Sequence, residues 1–131
     1  MLHPLTALVT CVALVMYFAL EGWVGWARGR YGIVAPATTG NPDFERIFRI
    51  HQNTLESLAM FLPALWMFSA FVSPQWASAL GVLWIVGRLV YARGYAIEAK
   101  RRGLGFTIAA FAAVVLVLGA GIGAVMKLVA G

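Results

Sequence analysis

The chain has 131 residues, of which 62% are hydrophobic and only 11% charged, against about 25% charged residues in a soluble domain. That balance excludes an ordinary soluble module and describes an integral membrane protein with a single domain spanning residues 1–131. The formal net charge of +5 is concentrated at two corners of the chain, not in a basic patch with interleaved aromatics, so no nucleic-acid partner is expected.

A membrane-spanning helix needs about 20 mainly apolar residues. Residues 5–27 meet that need as the first predicted helix, interrupted only by Glu21. Met1 to Pro4 carry no Lys or Arg and no convincing small-residue cleavage site follows, so this segment reads as a retained helix and not a signal peptide. The one cysteine, Cys11, lies within it, which leaves no intramolecular disulfide and no thiol-pair metal site. Residues 28–40, basic at their start and then rich in Gly, Pro and Thr, are predicted to be a loop.

The second predicted helix covers residues 42–72. Asn41 suits the cap, Pro42 the first turn, and Asp43 and Glu45 the positive end of the helix dipole. Pro63 deprives the Ala59 carbonyl of its donor and is expected to kink this helix. Ser73-Pro74-Gln75 is predicted to be a tight turn, residues 76–100 the third helix, 101–103 a corner and 104–129 the fourth helix. Gly119 and Gly123 in the last stand at the spacing that permits close helix contact, although glycine is common in membrane helices for other reasons. The expected fold is an all-α membrane protein, a four-transmembrane-helix bundle. Arg28, Arg30, Arg46 and Arg49 gather at the first corner and Arg93, Lys100, Arg101 and Arg102 at the third, with Lys127 alone near the C-terminus. The positive-inside rule then puts those corners in the cytoplasm and both termini on the opposite side.

Within the second helix, Glu45, Arg49, Gln52, Asn53 and Glu56 fall inside an arc of about 100°. Charged groups in such helices are costly and normally face a bundle interior or a water-filled cavity. On the third helix, Arg88, Tyr91, Tyr95, Glu98 and Arg102 fall within about 80° of one another, provided that the helix persists to Arg102. The two stripes lie at the same level and offer guanidinium groups, a carboxylate, an amide and two phenols. Arginine forks suit carboxylates: Arg49 for one, and a first-corner arginine such as Arg28 for another. Glu56 suits an ammonium group and Asn53 an amide. A small peptide-like zwitterion with two carboxylates fits, and glutathione is one; its thiol needs a nearby cation to ionise.

Plainer readings stand beside this one. Arg46 on the stripe's flank reaches headgroups; Arg49 and Glu56 form a packing ion pair; Tyr91 and Tyr95 belong to an interfacial aromatic belt; Arg88 pairs with Glu56, Glu21 with another helix, and Glu98 with neighbouring cations. His51 lies off the stripe with no second ligand at metal spacing, so no metal is expected.

The runs PATTGNPDFER, FERIFRIHQNTLES, FLPALW and GRLVYARGYAIEAKRRG resemble the MAPEG family, the membrane-associated proteins of eicosanoid and glutathione metabolism, and within it the branch of the leukotriene C4 synthases and type 2 microsomal glutathione transferases. The resemblance implies a homotrimer of four-helix protomers with glutathione bound between neighbouring subunits near the cytoplasmic side. It assigns glutathione binding to Arg49, Asn53, Glu56, Tyr91 and Tyr95, with Arg28 from the neighbouring chain, and it makes Arg102 the catalytic arginine that stabilises the thiolate; Gln52, Arg88 and Glu98, from the two stripes, are supporting candidates. Ser57 in place of a tyrosine, the pair His51-Gln52 and the spacing Arg28-Gly29-Arg30 depart from the branch pattern and bear on the lipid substrate more than on the tripeptide. The implied activity is a glutathione transferase acting on a hydrophobic electrophile from the bilayer, with reduction of lipid hydroperoxides as a second activity. The alternative is a non-catalytic lipid- or glutathione-binding scaffold of the same family; a small transporter would call for discontinuous helices or a repeat.

Overall fold

The computed structural model describes residues 2–131. Among them are four α-helices, α1 (Pro4–Tyr31), α2 (Pro42–Phe71), α3 (Pro74–Ile97) and α4 (Gly103–Ala130), with a short 3-10 turn over Ala99–Arg102 and no strand. By length and composition all four helices can cross a membrane.

The start of α2 follows from its cap. Asn41 Oδ1 accepts from the backbone N–H groups of Asp43 (2.9 Å) and Phe44 (3.1 Å), and Pro42 occupies the first turn, where no N–H is needed. The helix then continues through Pro63 to Phe71. Three boundaries differ from the sequence expectation. The first helix does not end at Ala27 but runs to Tyr31, so Arg28 and Arg30 are helical. The loss of hydropathy at Arg28 marks where side chains turn polar; the backbone stops only where Gly32 adopts a left-handed conformation (φ 70°). Ser73-Pro74-Gln75 is a helix start and not a free turn: Pro74 is the first residue of α3, and Ser73 Oγ accepts from Trp76 N–H at 3.2 Å. Finally, α3 stops at Ile97 and not at Lys100, because Glu98 is extended (φ −159°, ψ 132°). The chain folds back there, and the Arg101 carbonyl lies in the space that a side chain at Gly94 would fill.

Cross-helix pairs fix the topology. Thr6 meets Ser69 and Thr10 meets Trp66 between α1 and α2; Ser57 meets Trp84 and Asn53 meets Tyr91 between α2 and α3. Gly87 packs on Ala109 and Gly105 on Tyr91 between α3 and α4. Residue numbers rise along one member of each pair as they fall along the other, so consecutive helices are antiparallel. The main core is built from Phe61, Leu65, Trp84, Ala112 and Leu116, all fully or almost fully buried. Phe61 and Trp84 stack at 4.0 Å between centroids and 3° between planes, worth about 1 kcal/mol beyond the area they bury.

The α3–α4 contact is closer than side chains allow. A Cβ at Gly105 would overlap the Tyr91 backbone nitrogen and Cα, and one at Gly87 would overlap the Ala109 backbone. Gly119 and Gly123 also make close contacts within the chain, against the Phe68 ring and the Phe71 carbonyl. Because Gly105 meets backbone and not the end of a flexible side chain, Gly105→Ala should cost about 1–3 kcal/mol and lower the melting temperature of the detergent-solubilised protein. An unchanged melt would mean that α3 and α4 lie farther apart.

Candidate functional site

A cleft of about 460 Å³ opens between the middle of α2, the C-terminal part of α3 and the N-terminal part of α4. Asn53, Glu56, Ser57 and Met60 line it from α2, Arg88 and Tyr91 from α3, and Phe106, Ala109, Ala110 and Ala113 from α4. Four residues singled out in the sequence, Asn53, Glu56, Arg88 and Tyr91, are thus brought together. One end of this cleft is hydrogen-bonding and ionic; the α4 wall is apolar.

The polar end is held by a seam between α2 and α3. Asn53 Nδ2 donates to Tyr91 Oη at 2.7 Å, and Arg88 Nη2 donates to Thr54 Oγ1 at 2.7 Å. The Arg88 guanidinium also lies 4.0 Å from the Tyr91 ring centroid, a cation–π contact. Tyr91 is 2% exposed and Arg88 3%. Tyr95 extends the tyrosine face one turn on, edge to face with Tyr91 at 5.5 Å. Hydrogen bonds between membrane helices are worth about 1 kcal/mol each, so the seam secures geometry more than it drives assembly.

Arg102 arrives by a route that the helical wheel did not describe. The helix does not persist to it, so the shared-face argument fails. Instead the 3-10 turn carries its guanidinium to 5.6 Å from the Tyr95 ring centroid, with Nη1 donating to the Ala99 carbonyl at 2.9 Å. Glu98 takes the other cations of this corner, Lys100 at 3.1 Å and Arg101 at 3.4 Å. Arg102 forms no ion pair among the described residues.

The remaining expected residues lie elsewhere in the chain. Arg49 is exposed and lines, with Gln52, a separate recess of about 290 Å³ bounded by Thr38, Thr39, Glu45 and Phe48. Neither the Arg49–Glu56 pair nor the Arg88–Glu56 pair forms among the described residues; Arg88 turns to Thr54 because that hydroxyl faces it across the helix interface. Arg28 is occupied by its own loop: Nη1 donates to the carbonyls of Ala37 (2.7 Å) and Ile33 (3.4 Å), and the guanidinium sits over the Phe44 ring at 5.1 Å. Arg46 pairs with Asp43 and donates through Nε to the Ala96 carbonyl at 3.4 Å, bracing the end of α3. Glu21 is exposed and forms no ion pair among the described residues. His51 stacks on Tyr17 at 4.9 Å. Among the described residues, no group of three or more His, Cys, Asp and Glu side chains is placed to hold a metal ion.

Three features escaped the sequence reading. Thr54 is the partner of Arg88, yet a threonine in a membrane helix carries no signal by itself. Ser57, noted only as a departure, accepts from the Trp84 indole N–H at 3.0 Å and so ties the core to the cleft. The α4 wall is all apolar and became visible only through packing. A further recess of about 610 Å³ lies at the other end of the bundle, between Leu2–Pro4, Pro74 and residues 66–71. It has no Arg, Lys, Asp or Glu in its lining.

Four membrane-length helices enclosing a polar cleft define a class: a helical membrane protein whose ionisable groups converge inside the bundle instead of lining its ends alone. The particular family follows from comparison. The chain matches the sequence model of the MAPEG family over residues 6–122, and it belongs to that family. It is an integral, multi-pass membrane protein. It is 47% identical over 114 residues to an uncharacterized protein of Synechocystis, covering 87% of this chain and 83% of that one. To human microsomal glutathione S-transferase 2 it is 44% identical over 92 residues, 70% of this chain and 61% of the human protein. To bovine leukotriene C4 synthase it is 38% identical over 91 residues, 70% of this chain and 59% of the bovine one.

The contacts of Arg28 generate a test of what it does in the single chain. Arg28→Ala removes two carbonyl contacts and a cation–π contact, about 1–2 kcal/mol in all. It should make the loop between α1 and α2 cleave faster under limited proteolysis while the helical content by circular dichroism stays unchanged. A loop as resistant as before would remove Arg28's bracing role.

Proposed function

We propose that the protein is a membrane-bound glutathione transferase, joining the glutathione sulfur to hydrophobic electrophiles. The observation that carries this reading is the cleft itself: Asn53, Glu56 and Tyr91 share one polar recess with an apolar wall, and Arg102 stands by Tyr95 without a carboxylate partner. The names of the human and bovine relatives, a glutathione S-transferase and a leukotriene C4 synthase, support the same chemistry.

In this reading Glu56 takes the ammonium group of the tripeptide, Asn53 an amide, and Tyr91 and Tyr95 the face between them, with Arg49 on a carboxylate. The charge of Arg102 favours the ionised sulfur, so the thiol proton leaves to solvent before the bond-forming step. The thiolate then attacks the electrophilic carbon; with an aryl halide, a carbon–sulfur bond forms and halide departs with its bonding electrons. The apolar wall of Phe106, Ala109, Ala110 and Ala113 accommodates the body of the electrophile, which arrives from the bilayer. Arg49 and Gln52 face a different recess from Asn53 within one chain, so the complete site draws on a neighbouring copy, with Arg28 of that copy as a further carboxylate partner. A homotrimer built around such shared sites is our reading, as are one domain over the whole chain and a cytoplasmic location for the site, the latter from the basic residues at the first and third corners.

The test is conjugation of an aryl halide by the purified protein, together with the ultraviolet absorbance of bound thiolate as pH is raised. The wild type should conjugate and should hold the thiol as thiolate near neutral pH. Arg102→Ala should lower kcat by about 100-fold and raise the midpoint of thiolate formation by about two pH units, about 2.7 kcal/mol. A wild type silent towards several electrophiles, or an Arg102→Ala variant as active as the parent, would refute the reading.

A further inference from the structure

Arg88 is the most deeply buried charge in the bundle, 3% exposed at the level of the cleft. Its compensation is thin. Nη2 has one neutral acceptor, Thr54 Oγ1; Nε has no hydrogen-bond partner; and no ion pair among the described residues includes it. A guanidinium taken out of water normally requires a carboxylate or several acceptors, because desolvation costs several kcal/mol. Here its second contact is the π face of Tyr91, 4.0 Å from the guanidinium carbon. That ring is held by Arg88 against its face and touches Tyr95 edge to face. A ring so held presents its oxygen at a fixed place, where it accepts from Asn53 Nδ2 at 2.7 Å. With the oxygen engaged as acceptor, the phenolic proton is left for another acceptor.

We infer that Arg88 is a positioning residue for this cleft: anchored on Thr54, it fixes the Tyr91 ring and through it the Asn53 carboxamide, without itself touching the reacting sulfur. The inference rests on the reading of the cleft as a glutathione site. The relay has a direction. Thr54 and Asn53 are neighbours on α2, and Arg88 and Tyr91 are one turn apart on α3, so the two hydrogen bonds and the cation–π contact form a closed four-residue ring across the helix interface. A lysine cannot take the place of Arg88, because an ammonium point charge lacks the planar fork that bonds Thr54 while lying on the aromatic face. Bundle stabilisation alone would call for a charge that is paired or absent; a half-compensated one pressed on the ring of a cleft residue fits a role in aiming that residue.

Two measurements decide it. The first needs no ligand: the protein is labelled with 3-fluorotyrosine, giving four tyrosine positions, and the Tyr91 fluorine resonance is assigned by its loss in Tyr91→Phe. In Arg88→Met and Arg88→Lys that resonance should shift and broaden, with the Tyr31 resonance unmoved. An unmoved Tyr91 resonance overturns the inference, whatever the protein binds. The second is a double-mutant cycle on glutathione affinity. Arg88→Met should weaken binding about tenfold in the parent and less than about twofold in Tyr91→Phe, where no hydroxyl remains to be aimed. Equal losses in both backgrounds would reduce Arg88 to a merely structural residue. Should Arg88→Met fail to yield monodisperse protein, Thr54→Val keeps the charge and side-chain shape and should show the same dependence on Tyr91 with a smaller loss. A wild type that binds no glutathione refutes the site reading, and the fluorine measurement then judges Arg88 by itself.

Discussion

Polar groups at membrane depth must find their partners inside the protein, and the seam between α2 and α3 is where this chain does so. Asn53 with Tyr91, and Thr54 with Arg88, link adjacent positions of one helix to positions one turn apart on the next. Without such partners each group would face hydrocarbon unsatisfied, at a cost of several kcal/mol. The seam therefore sets both the register of the two helices and the chemistry of the cleft beside them. The hydrogen bond from Trp84 to Ser57 continues it into the aromatic core, where Trp84 stacks on Phe61. Core and site share one set of helix faces.

The fourth helix completes the recess by proximity. Gly87 and Gly105 let the α3 and α4 backbones meet, so α4 cannot swing away without losing that contact, nor can it come closer. The width of the cleft is then set by side chains: Phe106, Ala109, Ala110 and Ala113 along its α4 wall. At the end of α3 the chain folds back through the 3-10 turn, and Glu98 draws off Lys100 and Arg101 while Arg102 rests over Tyr95. Charge is thereby sorted within three consecutive basic residues. Two balance a carboxylate, and the third has no ion-pair partner among the described residues.

Much of this was legible in the residues. The four helices, the Asn41-Pro42 cap and the two polar stripes all follow from hydropathy, capping chemistry and helical periodicity, and Asn53, Glu56, Arg88 and Tyr91 do converge. What failed did so for physical reasons. Hydropathy reports where side chains leave the apolar layer, not where the backbone stops turning, hence the extra helical turn carrying Arg28 and Arg30. A helical wheel assumes an unbroken helix, and Glu98 breaks it; Arg102 still meets Tyr95, but through a fold-back that no periodicity encodes. Thr54 and the alanine wall carry no signal of their own, since a hydroxyl or a methyl group in a membrane helix becomes part of a site only by what packs opposite. The separation of the Arg49 recess from the Asn53 cleft likewise lies beyond a one-helix wheel, which ignores the loop at Thr38 and Thr39.

The central claim is that the paired faces of α2 and α3, continued to Arg102 and completed by a neighbouring copy, form one binding surface for a small thiol-bearing anion. Hydrogen–deuterium exchange of the detergent-solubilised protein with and without glutathione tests it most directly. The account predicts added protection around Arg28 and over residues 49–57 and 88–102, with the ends of the helices around Trp66–Pro74 unchanged. Protection at that opposite end, or no change anywhere at saturating glutathione, would contradict it.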